Sequence, residues 1–156
     1  MIKNKLQWCC RQKDGIHVIE LKPHLSIAYF NEADETLKNM ILITGKWKVI
    51  TAYYACYHAL YALLMKCGIK CEIHDCTIEL MPLFGFNEQD HKSMQALKED
   101  RIQAQYYLKN IELKDEQQIK RFIHACKLIS DNLTSQMIEQ IRTTLGKDLE
   151  PRGTTQ

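Results

Sequence analysis

Hydrophobic and polar residues alternate along most of this chain at helical spacing, except in one stretch. Residues 49–65, VITAYYACYHALYALLM, run without a formal charge between Lys48 and Lys66. A helix of that length is about 25 Å long at 1.5 Å per residue. That falls short of the roughly 20 apolar residues a membrane span needs. Its four tyrosines, its threonine and its histidine would also be penalised in lipid. The stretch therefore predicts a central helix, buried nearly all round, in a protein that does not cross a membrane.

The other segments are amphipathic and arrange themselves around it. Residues 2–12 predict a short helix with Ile2, Leu6 and Cys9 or Cys10 on one side, ended by Asp14-Gly15. Residues 15–21 read as an extended connector. Pro23 opens a second helix, in which Leu25, Phe30, Ala33, Leu37, Met40 and Ile41 form a stripe and Asp34 pairs with Lys38. Gly45 is expected to close it as an αL cap. The central helix spans 46–67 and Gly68 breaks it. A short helix at 74–81 is stopped by Pro82 and Gly85. A fourth helix covers 88–110, with Met94, Leu97, Ala104 and Leu108 inward and Arg101 on the same stripe. A fifth runs from 115 to 145, capped by Asp115 and ended by Gly146. The fold expected is all-α, an antiparallel up-and-down bundle of about five helices. One domain is expected over 1–156. Its core is 23–145, preceded by the short helix and connector of 1–22 and followed by a loose tail, 147–156.

Composition narrows the function classes only a little. The 156 residues are 46% apolar and 26% charged, which argues for a folded globular chain. A net charge of +2 does not by itself mark a nucleic-acid surface. Seven cysteines occur behind an N-terminus without a secretory pattern. The expectation is a cytoplasmic protein with free thiols. No phosphate loop, nucleophile elbow, zinc-protease helix or dinucleotide fingerprint is present. No cofactor is expected.

Two clusters carry candidate chemistry. On the central helix Thr51, Tyr54, His58, Tyr61 and Met65 share one face, which suggests a polar groove or a subunit contact. His58 could serve as a general acid or base. A core histidine bonded to its neighbours is the competing reading. Beyond the helix, Cys67, Cys71, His74 and Cys76 offer four soft ligands within ten residues. Their spacing is not a usual zinc pattern, and Cys56 and Cys126 show cysteine used as a small apolar residue. Buried thiols are the leading reading there. Arg101, on an apolar stripe, needs a partner or an exit to solvent.

The segment AYYACYHALYALL at 52–64, followed by Gly68 and His74, resembles the HEPN superfamily, in particular its small stand-alone bacterial and archaeal branch. Arg101, Ala104 and Tyr106 are similar to that branch's second signature, with Gln105 where an aspartate is usual. The resemblance covers roughly residues 23–145. It implies a helical bundle of four to five helices, dimerised through the central helix. In many members it also implies a metal-independent endoribonuclease or toxin paired with a nucleotidyltransferase antitoxin. The family's arginine would steady a phosphate beside its histidine. Here His58 holds the histidine position and Thr51 stands where the arginine is common. Threonine brings no charge and no bidentate fork. The family's modifiable tyrosine two residues after the histidine is replaced by Leu60, with Tyr61 one further. The resemblance thus implies a non-catalytic or weakly active protein that binds nucleotide, RNA or a partner such as a nucleotidyltransferase. One alternative is an endoribonuclease toxin using His58 with Arg101. Another is a structural interaction module built on the Cys/His cluster.

Overall fold

The computed structural model describes residues 2–149, with side chains from 4 to 147. Ile2 as a buried stripe residue, and most of the tail expected after Gly146, lie outside what is described.

The chain is mostly helical. Seven α-helices lie among the described residues: α1 (Ile2–Arg11), α2 (Pro23–Leu42), α3 (Lys46–Lys66), α4 (His74–Glu79), α5 (Glu88–Gln105), α6 (Glu116–Asn132) and α7 (Ser135–Leu149). A 3-10 turn, Met81–Phe84, follows α4. The expected connector forms a two-residue strand β1 (His17–Val18), antiparallel to β2 (Ile69–Lys70), with His17 opposite Lys70.

The centre of the fold is α3, with α2, α5 and α6 packed on it. Fourteen of its 21 residues are buried, so its half-exposed strip narrows to Thr51, Tyr54 and His58. From α2, Ser26, Ala33 and Met40 are buried against it, and the Ser26 hydroxyl donates to the Ala62 carbonyl at 2.8 Å. The expected Asp34–Lys38 pair does not form. Asp34 instead takes Lys127 of α6 at 2.7 Å, and Lys38 sits 3.6 Å from Glu35. A contact between helices has replaced one along a helix.

The α2–α3 turn also differs from expectation. Helix α2 ends on extended Ile43, and Gly45 is the N-cap of α3 at φ 72, ψ −153. That is a region open essentially to glycine only, rather than the αL cap of a preceding helix. Gly68, at φ 65, ends α3 as expected. A Cβ there would lie 2.3 Å from Arg142 Nη1, which donates to the carbonyls of Ile19, Cys67 and Gly68.

The helix expected over 115–145 is two helices. Leu133 is extended, and Thr134 restarts the chain by accepting the Met137 N–H on its hydroxyl at 3.2 Å. The break follows from residues 131–135, DNLTS, which favour caps over helix interiors. Gly146 does not end the last helix, which runs on to Leu149. Helix α5 stops at Gln105, five residues before the expected end. Leu108 takes φ 55, a position glycine normally fills after a helix, while Lys109 N–H bonds back to Gln103.

One cross-link overturns the expectation of free thiols. Cys9 of α1 and Cys76 of α4 form a disulfide, their Cα atoms 5.6 Å apart and 67 residues apart in sequence. Both sulfurs lie in the core, where the buried faces of α1 and α4 meet. The Lys5–Glu79 ion pair, at 3.0 Å, joins the same two helices. Among the described residues no helix is long and apolar enough to cross a membrane.

Candidate functional site

The polar chemistry gathers where α4 and α5 meet the N-terminal half of α3. Arg101 is 6% exposed, and its guanidinium carbon lies 4.6 Å from the ring centre of Tyr53, 5.6 Å from Tyr54 and 5.8 Å from Tyr106. Its hydrogen bond to Gln105 Oε1 is long at 3.5 Å, it also donates to the Tyr53 hydroxyl, and Nε is buried without a partner. No carboxylate pairs with it among the described residues. The neighbouring cations are matched: Lys98 by Asp75, and Lys5 by Glu79. A buried guanidinium resting on three aromatic rings gains cation–π attraction, worth about 2 kcal/mol where desolvated. That does not replace a counter-ion.

His74 completes this cluster. It opens α4, stacks on Tyr57 at 4.1 Å and holds Nδ1 2.8 Å from the Tyr53 hydroxyl. Burial, with the charges of Arg101 and Lys98, pushes its pKa down to about 4. Burial pushes the phenol of Tyr53 upward and the Arg101 charge opposes it, so the hydroxyl stays protonated. Below it, the hydroxyls of Tyr57 and Thr77 lie 3.3 Å apart.

His58 lies between Tyr54 and α2. Its ring lies 6.3 Å from Tyr54 and stacks on Tyr29 of α2 at 6.0 Å. Its Nδ1 is buried with no partner. Burial lowers its pKa, with Glu32 acting in the opposite sense. Arg101 and His58 thus both lie beside the Tyr54 ring.

The remaining candidates are otherwise engaged. Thr51 donates its hydroxyl to the Trp47 carbonyl at 2.7 Å, closing on its own helix. Tyr61 is buried rather than groove-lining, and its oxygen accepts the Cys71 N–H at 3.2 Å. Of the four soft ligands, Cys76 is in the disulfide and His74 is bonded to Tyr53. The Cys71 thiol donates to the Ile73 carbonyl at 3.4 Å, and burial raises the Cys67 pKa to about 11. Among the described residues no three His, Cys, Asp or Glu side chains converge to hold a metal.

His74 as a partner of the tyrosines is not legible in the sequence, because Tyr53, Tyr54 and Tyr57 lie about five or six helical turns earlier in the chain, on another helix. The apolar cleft of about 160 Å³ between α5 and α6, lined by Met94, Leu97, Ile119 and Phe122, contains none of these groups. No family model, curated protein or solved structure matches the chain.

Proposed function

We propose that this chain is a HEPN-like protein, without catalysis or with weak catalysis, that binds a phosphate-bearing nucleotide or RNA on the face formed by Arg101, Tyr54 and His58. The observation that carries the reading is Arg101: a nearly buried guanidinium with an unpartnered Nε and no carboxylate beside it. A cation held in that state is matched by an anionic ligand, and a guanidinium suits phosphate. The packing of α2, α5 and α6 on α3 is compatible with the HEPN bundle.

The active-toxin reading is the weaker one. Thr51 gives His58 no cation, and its hydroxyl is committed to Trp47. A homodimer through the central-helix region and a nucleotidyltransferase partner remain parts of the proposal that rest on the resemblance alone.

The test is a labelled single-stranded RNA incubated with the protein under chelator. Binding without cleavage is expected, weakened at least tenfold by Arg101→Gln. Binding unchanged by Arg101→Gln would overturn the proposal. Cleavage lost in His58→Ala would favour the ribonuclease reading instead.

A further inference from the structure

His74 and Tyr53 are coupled by one hydrogen bond whose direction depends on protonation. The Tyr53 oxygen lies 2.8 Å from His74 Nδ1. Arg101 can only donate to the Tyr53 oxygen, so with the imidazole neutral the phenol gives its own proton to Nδ1 and the ring proton sits on Nε2. If the imidazole takes a second proton, Nδ1–H must donate to Tyr53. The phenol proton is then released from the ring and is free to turn towards an anion on Arg101. Protonating His74 therefore creates a second donor beside the guanidinium.

What opposes that protonation is burial first, and then the surrounding charge. Arg101 and Lys98 face His74 from α5, and His58, Tyr53, Tyr54 and Tyr57 face it from α3. On its own helix Asp75 is neighbour to the ring but is taken by Lys98. An anion that neutralises Arg101 removes the largest of these charge effects.

We propose that the Arg101 site binds a tetrahedral dianion together with one proton, which His74 takes up while Tyr53 reverses its hydrogen bond and turns its hydroxyl to the ligand. This rests on the anion-binding reading above and adds its pH control. Linkage sets the sign: a histidine whose pKa is higher in the complex than in the free protein strengthens binding as pH falls. The gain runs from the midpoint of the complex down to that of the free ring, about 4, and then levels off.

Sulfate is the suitable probe, because it does not titrate between pH 4 and 8. The intact protein is titrated by NMR, following the ring carbons of His74 and His58 in saturating sulfate and in chloride of equal ionic strength. The His74 midpoint is expected to rise by at least one pH unit in sulfate, and sulfate affinity to rise at least tenfold over the same interval. His74→Asn should still bind sulfate, with affinity flat in pH. Arg101→Gln should abolish both binding and shift. Sulfate binding with an unmoved His74 midpoint, or a pH dependence that persists in His74→Asn, overturns the proton coupling and leaves the anion site standing. Failure of the wild-type protein to bind sulfate overturns both.

Discussion

His74 and His58 both lie against Tyr54 and Tyr57, and they live in differently built surroundings. On the α4–α5 flank, His74 has Nδ1 bonded to Tyr53 and its ring stacked on Tyr57. That flank is pinned by the Cys9–Cys76 disulfide and by the Lys98–Asp75 and Lys5–Glu79 ion pairs. On the α2 flank, His58 has an unpartnered Nδ1 and a looser stack on Tyr29. No cross-link reaches it, and α2 is held by Ser26 and by the Asp34–Lys127 pair. A histidine with its nitrogen satisfied can be held in one tautomer and tuned by its neighbours. One with an orphaned nitrogen bears a desolvation cost unless a ligand relieves it. His74 thus has the build of a positioned group beside the Arg101 site, and His58 is the more loosely held of the two.

Removing the cross-link should separate the flanks most sharply. The disulfide joins residues 67 apart, for which loop-closure entropy in the unfolded chain gives about 4 kcal/mol. Replacing Cys9 and Cys76 together with serine is expected to lower the unfolding free energy in urea by about that amount. The ring signals of His74 should move in the variant and those of His58 should not. Equal movement of both would mean that the flanks are one unit.

Acid titration sharpens the same contrast with a smaller effect. Both folded pKa values are depressed, His74 to about 4, while an unfolded histidine titrates near 6.5. Between those values the unfolded state binds more protons, so stability falls as pH drops below about 6.5. For His74 the loss continues down to about 4. Neither ring is fully buried, so the slope stays below the full ~1.4 kcal/mol per pH unit of one buried proton. Urea midpoints at pH 7, 6 and 5 should decline in the wild type. His74→Asn should flatten that decline more than His58→Asn does, and a larger flattening by His58→Asn would reverse the ranking.

Much of this framework is legible in the chain. The uncharged run at 49–65 marks α3, Asp115 caps α6 as expected by accepting the Gln118 N–H at 3.2 Å, and Pro82 and Gly85 bound the irregular turn. What escapes is contact at long range. Nothing local to Asp34 says that Lys127, and not Lys38, will be its partner. Cys9 and Cys76 likewise meet only once α1 has docked on α4. The site is legible in part. Arg101 betrays itself as a cation on an apolar stripe and His58 as an imidazole in an apolar helix. His74, in a segment rich in cysteine, points towards metal until the tyrosines of α3 are seen against it. Thr51 and Tyr61 share the right face, but a helix wheel cannot say that their oxygens are already bonded to the backbone.

The smallest expected change concerns Arg101, and it distinguishes a ligand's cation from a structural one. Breaking a buried ion pair costs about 3–5 kcal/mol, because the abandoned partner stays buried and charged. Arg101 has no such partner among the described residues. Arg101→Met keeps most of the volume, removes the desolvation cost of the cation and gives up its contact with the rings of Tyr53, Tyr54 and Tyr106. These terms oppose each other, so unfolding in urea should shift by less than about 1 kcal/mol, while binding of RNA and of sulfate is lost. A loss of 3 kcal/mol or more would show that the guanidinium holds the fold together, and the α4–α5 flank would then be a core and not a site.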